Sequence, residues 1–163
     1  MNSVIFNEER FQSSDKPAKE ATKKLFEKIH PEWTLIENPN RYGIDYIVYS
    51  NGKLIAYIEC ELSNKGFDEK GFKYSEIRLL PRKNHFLEYK DSDGRALEVV
   101  PIYICTISKD CDQALIYEIS TMRTRGRIIE GCVNYVPGQG HVEEDMRALS
   151  VLHCKAHKIE KTG

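Results

Sequence analysis

The stretch KLIAYIECELS places Glu59 and Glu61 two positions apart. Side chains along a strand alternate with period two, so Leu54, Ala56, Ile58, Cys60 and Leu62 form an apolar face. Lys53, Ile55, Tyr57, Glu59 and Glu61 form the other. The two glutamates then have Cα atoms roughly 6.5 to 7 Å apart, close enough to share a cation and mutually repulsive without one. A third carboxylate, Asp45, interrupts the otherwise apolar run IDYIVY, although Asp is depleted in strands and costly to bury without a partner. Hard divalent cations such as Mg²⁺ or Mn²⁺ take oxygen ligands and keep several waters. Two or three convergent carboxylates with a substrate phosphate suit such an ion, and phosphodiester hydrolysis is the chemistry this implies.

Whether Asp45 meets the glutamates depends on the hairpin between GIDYIVYS and KLIAYIECELS. A two-residue Asn51-Gly52 turn pairs Ser50 with Lys53 and sends Asp45 to the wrong face. A three-residue loop of Ser50, Asn51 and Gly52, or an equivalent bulge, pairs Tyr49 with Lys53 and sets Asp45 opposite Tyr57, diagonal to Glu59. We expect the latter, because it gives Asp45 carboxylate neighbours and a metal to offset its burial.

The elements that must hold these residues follow from periodicity. SSDKPAKEATKKLFEKIHP reads as a helix, with a capping Ser or Asp, an early Pro, and Ala18, Thr22, Leu25, Phe26 and Ile29 at helical spacing before Pro31. WTLIENP is a short strand before the two hairpin strands. Residues 64–73 are polar and Gly-containing and read as a mobile loop. SEIRLLPRKNHFLEY gives a short strand stopped by Pro81, then a helical or irregular piece. EVVPIYICTIS and ALIYEIS are β-branched runs that should pair across the turn KDCDQ. RTRGRII reads as a strand that would put Arg123, Arg125 and Arg127 on one face. NYVPGQGH is a turn-rich loop, and EEDMRALSVL a last short helix or strand. The expected fold class is α/β, one domain over residues 1–163, with a mixed sheet of about five strands flanked by helices.

Gly43-Ile-Asp45, then Glu59-Cys60-Glu61 fourteen positions on along an apolar strand, after a helix that carries Glu20, resembles the PD-(D/E)xK nuclease superfamily. The resemblance runs from Ser14 to Lys83, about half the chain. It implies a restriction-endonuclease-like fold and a Mg²⁺- or Mn²⁺-dependent endonuclease with DNA as a more natural substrate than RNA. It also implies Asp45, Glu59 and Glu61 as catalytic and metal-binding residues, Glu20 as a further ligand from the helix, and a possible homodimer. Glu61 stands where the family usually has Lys. Either metal-bound water attacks without a lysine's help, or Lys65, Lys73 or Lys83 moves in from elsewhere; failing both, the site binds metal without cutting. Glu20 lies opposite Leu25 on the helical wheel, on the face that reads as solvated.

Phosphate contacts would come from Arg82 and Lys83 in PRKNH, from Lys73, and from Arg123 and Arg125. Solvated strand-end charges are the plain alternative. The chain holds 163 residues, 40% of them hydrophobic, enough for one core. Lys plus Arg (24) and Asp plus Glu (25) nearly cancel, so any nucleic-acid partner must be held by a local patch. The start, MNSVIFNEERF, lacks the pattern of a signal peptide, and five cysteines without a close pair fit a reducing compartment, so a cytoplasmic protein without membrane attachment is expected. Cys154 and His157 have ligand-like spacing, but Cys111, Cys132 and His141 are scattered, which leaves structural zinc the weaker alternative. A noncatalytic nucleic-acid-binding or protein-interaction module on a degenerate nuclease fold is the other rival.

Overall fold

The computed structural model describes residues 16–40, 43–136, 138 and 140–160. The first helix, α1 (Lys16–Ile29), buries Ala18, Ala21, Thr22, Leu25 and Phe26, the three- and four-residue spacing of one helical face. Ile29, expected on that face, is 36% exposed in the last turn. The expected cap at Ser13, Ser14 or Asp15 lies outside the described residues.

Strands β1 (Thr34–Glu37), β2 (Tyr46–Ser50) and β3 (Lys53–Ser63) form an antiparallel meander. Residues 64–73, read from sequence as a mobile loop, contain regular structure. Two short strands, β4 (Phe67–Asp68) and β5 (Gly71–Phe72), pair there, with Phe67 against Phe72 at 5.3 Å between ring centroids. Strand β6 (Glu76–Leu79) leads into a 3₁₀ segment at Pro81–Glu88, which ends at Tyr89 in a left-handed conformation. Strands β7 (Ile102–Ser108) and β8 (Gln113–Glu118) form the expected pair. The chain then turns into α2 (Ile119–Arg125).

RTRGRII is therefore not one strand. Ile119 and Met122, fully buried three residues apart, set a helical period up to Gly126, and β9 (Arg127–Val136) starts only beyond it. Arg123 and Arg125 lie on the helix, whereas Arg127 opens the strand and grips Glu76 with two nitrogens at 2.8 to 3.1 Å. Strand β10 (Gly140–Ser150) makes a long ribbon with β9, so EEDMRALS is strand, Val151 and Leu152 belong to the turn after it, and the expected loop NYVPGQGH is largely strand, residues 134–136 ending β9 and residues 140–141 opening β10. A short 3₁₀ turn (Val151–His153) and β11 (Lys155–Lys158) complete the described chain.

The class is mixed α/β. Among the described residues the main sheet has six strands, in the order β1-β2-β3-β7-β8-β11, where about five were expected, and only β3 and β7 pair in parallel. A second sheet, β6-β10-β9, supplies the additional strands. One face of the main sheet packs Val48, Ala56, Ile58 and Cys105 against Leu25 and Phe26 of α1. The opposite face packs Tyr57, Ile104 and Tyr117 against Leu79, Phe86, Met122 and Leu149. β3 thus runs through the middle of three layers, and what its second face carries is enclosed. Among the described residues, no helix is long and apolar enough to cross a membrane.

Candidate active site

The hairpin solves the register problem by a bulge rather than by a three-residue loop. Asn51 (φ 52°) and Gly52 (φ 75°) both take left-handed conformations, which makes a two-residue turn, and Ser50 pairs with Lys53. A bulge then follows: Tyr49 faces Leu54 but Val48 faces Ala56, so Ile55 is the extra residue. The bulge reverses the side-chain phase of β3. One residue beyond the Tyr46–Ile58 pair, the register sets Asp45 opposite Glu59 rather than Tyr57. Of the two expected forms of the hairpin, the bulge is the one present and the three-residue loop does not form; Asp45 lies on the expected face, with Glu59 rather than Tyr57 opposite it.

Asp45 precedes β2 and is held from both sides. Its carbonyl accepts from the Asn38 amide at 3.0 Å, and its Oδ2 accepts from the Cys60 amide at 2.7 Å. The Ile44 amide donates to Asp91 at 3.0 Å. Gly43 makes room for this latch, because a Cβ there would lie 2.6 Å from Asn38 Nδ2 and 2.8 Å from Asp91 Oδ2. The Gly-x-Asp spacing therefore has a steric cause: close approach at Gly43 fixes the backbone that aims Asp45.

Glu59 and Glu61 project from β3 into the enclosed layer, where the 3₁₀ segment delivers Lys83, itself 4% exposed. Lys83 Nζ lies 3.4 Å from Glu59 Oε2 and 3.5 Å from Glu61 Oε1. Thr106 on β7 donates to Glu61 Oε2 at 3.5 Å. Glu59 Oε1 and the Tyr117 hydroxyl are buried without hydrogen-bond partners among the described residues. Burial, followed by the neighbouring Asp45 charge, pushes the Glu59 carboxyl up to about 8 despite Lys83. Burial alone would depress the Lys83 ammonium, but Glu59 and Glu61 outweigh it and hold Lys83 above its ordinary range. Near neutral pH the site therefore contains a protonated lysine beside a Glu59 carboxyl that holds on to its proton. Burial and the Glu61 charge raise the Tyr117 phenol well above its usual value, so it remains a donor.

Of the three lysines weighed from sequence, Lys83 is the one that pairs with the carboxylates among the described residues. Lys65 is exposed on the rim of a cavity that Glu61 helps to line. Lys73 is exposed, with its ammonium 5.8 Å from the Tyr74 ring. Glu20 is exposed on α1. The helix instead offers Lys19, whose Nζ lies 2.6 Å from Glu37 and 3.9 Å from Asp45. Arg82 and Arg125 are exposed, and Arg123 sits 4.9 Å from the centre of the Tyr89 ring. These three do not join Asp45, Glu59 and Glu61 in the ion-paired cluster.

Lys19, Thr106 and Tyr117 were missed from sequence. Thr106 and Tyr117 carried a signal, as polar groups inside the apolar runs IYICTIS and ALIYE. Lys19 carried none that set it apart from the other helix lysines. Among the described residues, no three His, Cys, Asp or Glu side chains are grouped to hold a metal, and this applies equally to Cys154 with His157. The Asp45 and Glu59 pair does fit a hard divalent cation: it offers carboxylate oxygens only, carries excess negative charge when ionised, and includes the buried, unpartnered Glu59 Oε1. Comparison with protein-family models, with curated proteins and with solved structures found no match.

Proposed function

We propose that this chain is a metal-dependent phosphodiesterase that hydrolyses nucleic acid, DNA in preference to RNA, on a restriction-endonuclease-like variant of the mixed α/β fold. One observation carries the reading: Lys83, from a separate segment, is buried against Glu59 and Glu61 beside Asp45. That cluster is unfavourable to bury unless it serves a purpose. The arrangement of α1, an antiparallel β1-β2-β3 meander and a parallel β7 is consistent with the resemblance in sequence.

Asp45 and Glu59 would hold a Mg²⁺ or Mn²⁺ ion, with water and substrate phosphate as the remaining ligands. When bound, such an ion stabilises the charge of the transition state and activates water. Lys83, fixed by two carboxylates, positions its ammonium toward the same point and can orient the attacking water or a phosphate oxygen. Glu61 holds Lys83 in place, in a position where the superfamily would usually put the lysine itself. Thr106 fixes the Glu61 carboxylate in turn.

A second reading, a noncatalytic nucleic-acid-binding module, draws on the same ion pairs, since Lys83 already neutralises part of the acidic charge. A single assay separates them: plasmid, linear duplex, single-stranded and branched DNA, and RNA, are incubated with Mg²⁺ or Mn²⁺ and wild type or Glu59→Ala. Metal-dependent cutting lost in Glu59→Ala is expected. Binding without cutting on every substrate would replace the nuclease by the module.

A further inference from the structure

Beside the carboxylates, and outside them, β3, the β4–β5 hairpin and β6 border an open cavity of about 810 Å³, within the roughly 300 to 1,000 Å³ usual for small-ligand clefts. Glu61 and Thr106 form its inner end, where it meets the candidate site. Its walls carry Phe72 and Tyr74, with ring centroids 5.7 Å apart at 75°, and Tyr74 is 55% exposed. Lys65 and Arg78 lie on the same walls, and both are exposed. Two acids also line it, but each already has a cation: Glu76 is gripped by Arg127 at 2.8 Å and Glu61 by Lys83 at 3.5 Å. The unneutralised charge at the mouth is therefore positive.

We propose that this cavity receives an unpaired nucleotide, its base against Tyr74 and Phe72 and its phosphate toward Lys65 and Arg78, so that the preferred substrate is single-stranded. The inference rests on the nucleic-acid reading of the adjoining carboxylates and names the substrate class of that site. Exposed aromatic faces beside basic groups are the usual platform for unpaired bases, because every base has a face to stack whatever its sequence. A duplex hides those faces inside its stack and would leave Tyr74 without a partner. The cavity opens onto Glu61, so a strand anchored there by its base brings an adjacent phosphate to the lysine and carboxylates.

The test is fluorescence anisotropy of a dye-labelled single-stranded DNA oligonucleotide and of the same strand in duplex, with EDTA present so that nothing is cut. Wild type should bind the single strand at least about tenfold tighter. Tyr74→Ala should weaken single-strand binding by roughly 5- to 150-fold, the worth of one stacked base, and leave duplex binding unchanged, while Tyr74→Trp should restore it. Circular dichroism of each variant verifies the fold. Equal or tighter duplex binding, or single-strand binding indifferent to Tyr74→Ala, overturns the proposal. Its failure is separable from that of the nuclease reading. A Tyr74-dependent single-strand preference in a protein that cuts nothing sinks the phosphodiesterase and keeps the cavity; duplex cleavage indifferent to Tyr74→Ala does the reverse.

Discussion

Replacing Glu59 with Gln should make the metal-free protein more stable at pH 8 to 9, although it removes a salt-bridge partner of Lys83. The sign follows from the proton. Glu59 ionises near 4.5 when unfolded and near 8 when folded, so between those values the folded state holds a proton that the unfolded chain has released. Wild-type stability is thus fully present below about 4.5 and falls as pH rises through 8. Tenfold in proton affinity is worth about 1.4 kcal/mol, so the whole rise would correspond to about 5 kcal/mol. Glu59 is strongly coupled to the charges around it, so only part of this belongs to it, roughly 2 to 3 kcal/mol. Gln keeps the volume, never ionises and escapes that loss. For a domain of this size about 1 kcal/mol moves Tm by roughly 2 to 4 °C, so Glu59→Gln should melt about 5 to 10 °C above wild type at pH 9 and level with it at pH 4.5. Scanning calorimetry from pH 4.5 to 9 in EDTA measures the gap. Adding 5 to 10 mM Mg²⁺ at pH 8 should raise the wild-type Tm and leave Glu59→Gln unmoved. A constant difference across pH, or a variant less stable than wild type at pH 9, would refute the account of a Glu59 carboxyl that keeps its proton when folded.

Three further outcomes follow from the geometry. Lys83→Met retains volume but leaves Glu59 and Glu61 without their cation, so urea unfolding should show a loss of about 3 to 5 kcal/mol, and any cleavage should fall by roughly 100-fold or more. Gly43→Ala forces a methyl against the side-chain ends of Asn38 and Asp91, and should cost about 1 to 3 kcal/mol of stability in urea unfolding. Arg127→Ala removes an exposed pair with Glu76, and its urea midpoint should stay with wild type once salt is raised.

The parts legible in sequence are those governed by local periodicity. The face of α1 was readable because Ala18, Thr22, Leu25 and Phe26 repeat at three and four, and β3 because its glutamates alternate with apolar residues. The bulge at Ile55 was not readable. A slip of one residue leaves no mark in composition, and only the demand that Asp45 face other carboxylates hinted at it. Arg123 and Arg125 were assigned to a strand because alternating charge imitates period two, while the buried pair Ile119 and Met122 was too short a helical signal to compete. Lys83 could not be told from Lys65 and Lys73 by letters alone. The distinction lies in Phe86 and Leu87, which bury the 3₁₀ segment and carry Lys83 inward, whereas the β4–β5 hairpin keeps the other two at the surface. Lys19 rather than Glu20 approaches Asp45 because a helix turns 100° per residue, and which neighbour faces the sheet edge is set by docking.

The parallel pairing of β3 with β7 bears on the order in which the molecule assembles. β2 and β3 are joined by two residues and can pair early, carrying Asp45, Glu59 and Glu61 with them. β7 can join β3 only after residues 64–101 have crossed from one end of the sheet to the other, and that crossing contains Lys83. The carboxylates therefore wait, repelling one another, until the long connection closes and brings their counter-charge in the same movement. Closing the sheet and neutralising the acids are one slow, non-local event, and the Glu59–Lys83 contact is accordingly expected to form after the hairpin, as a late step of folding.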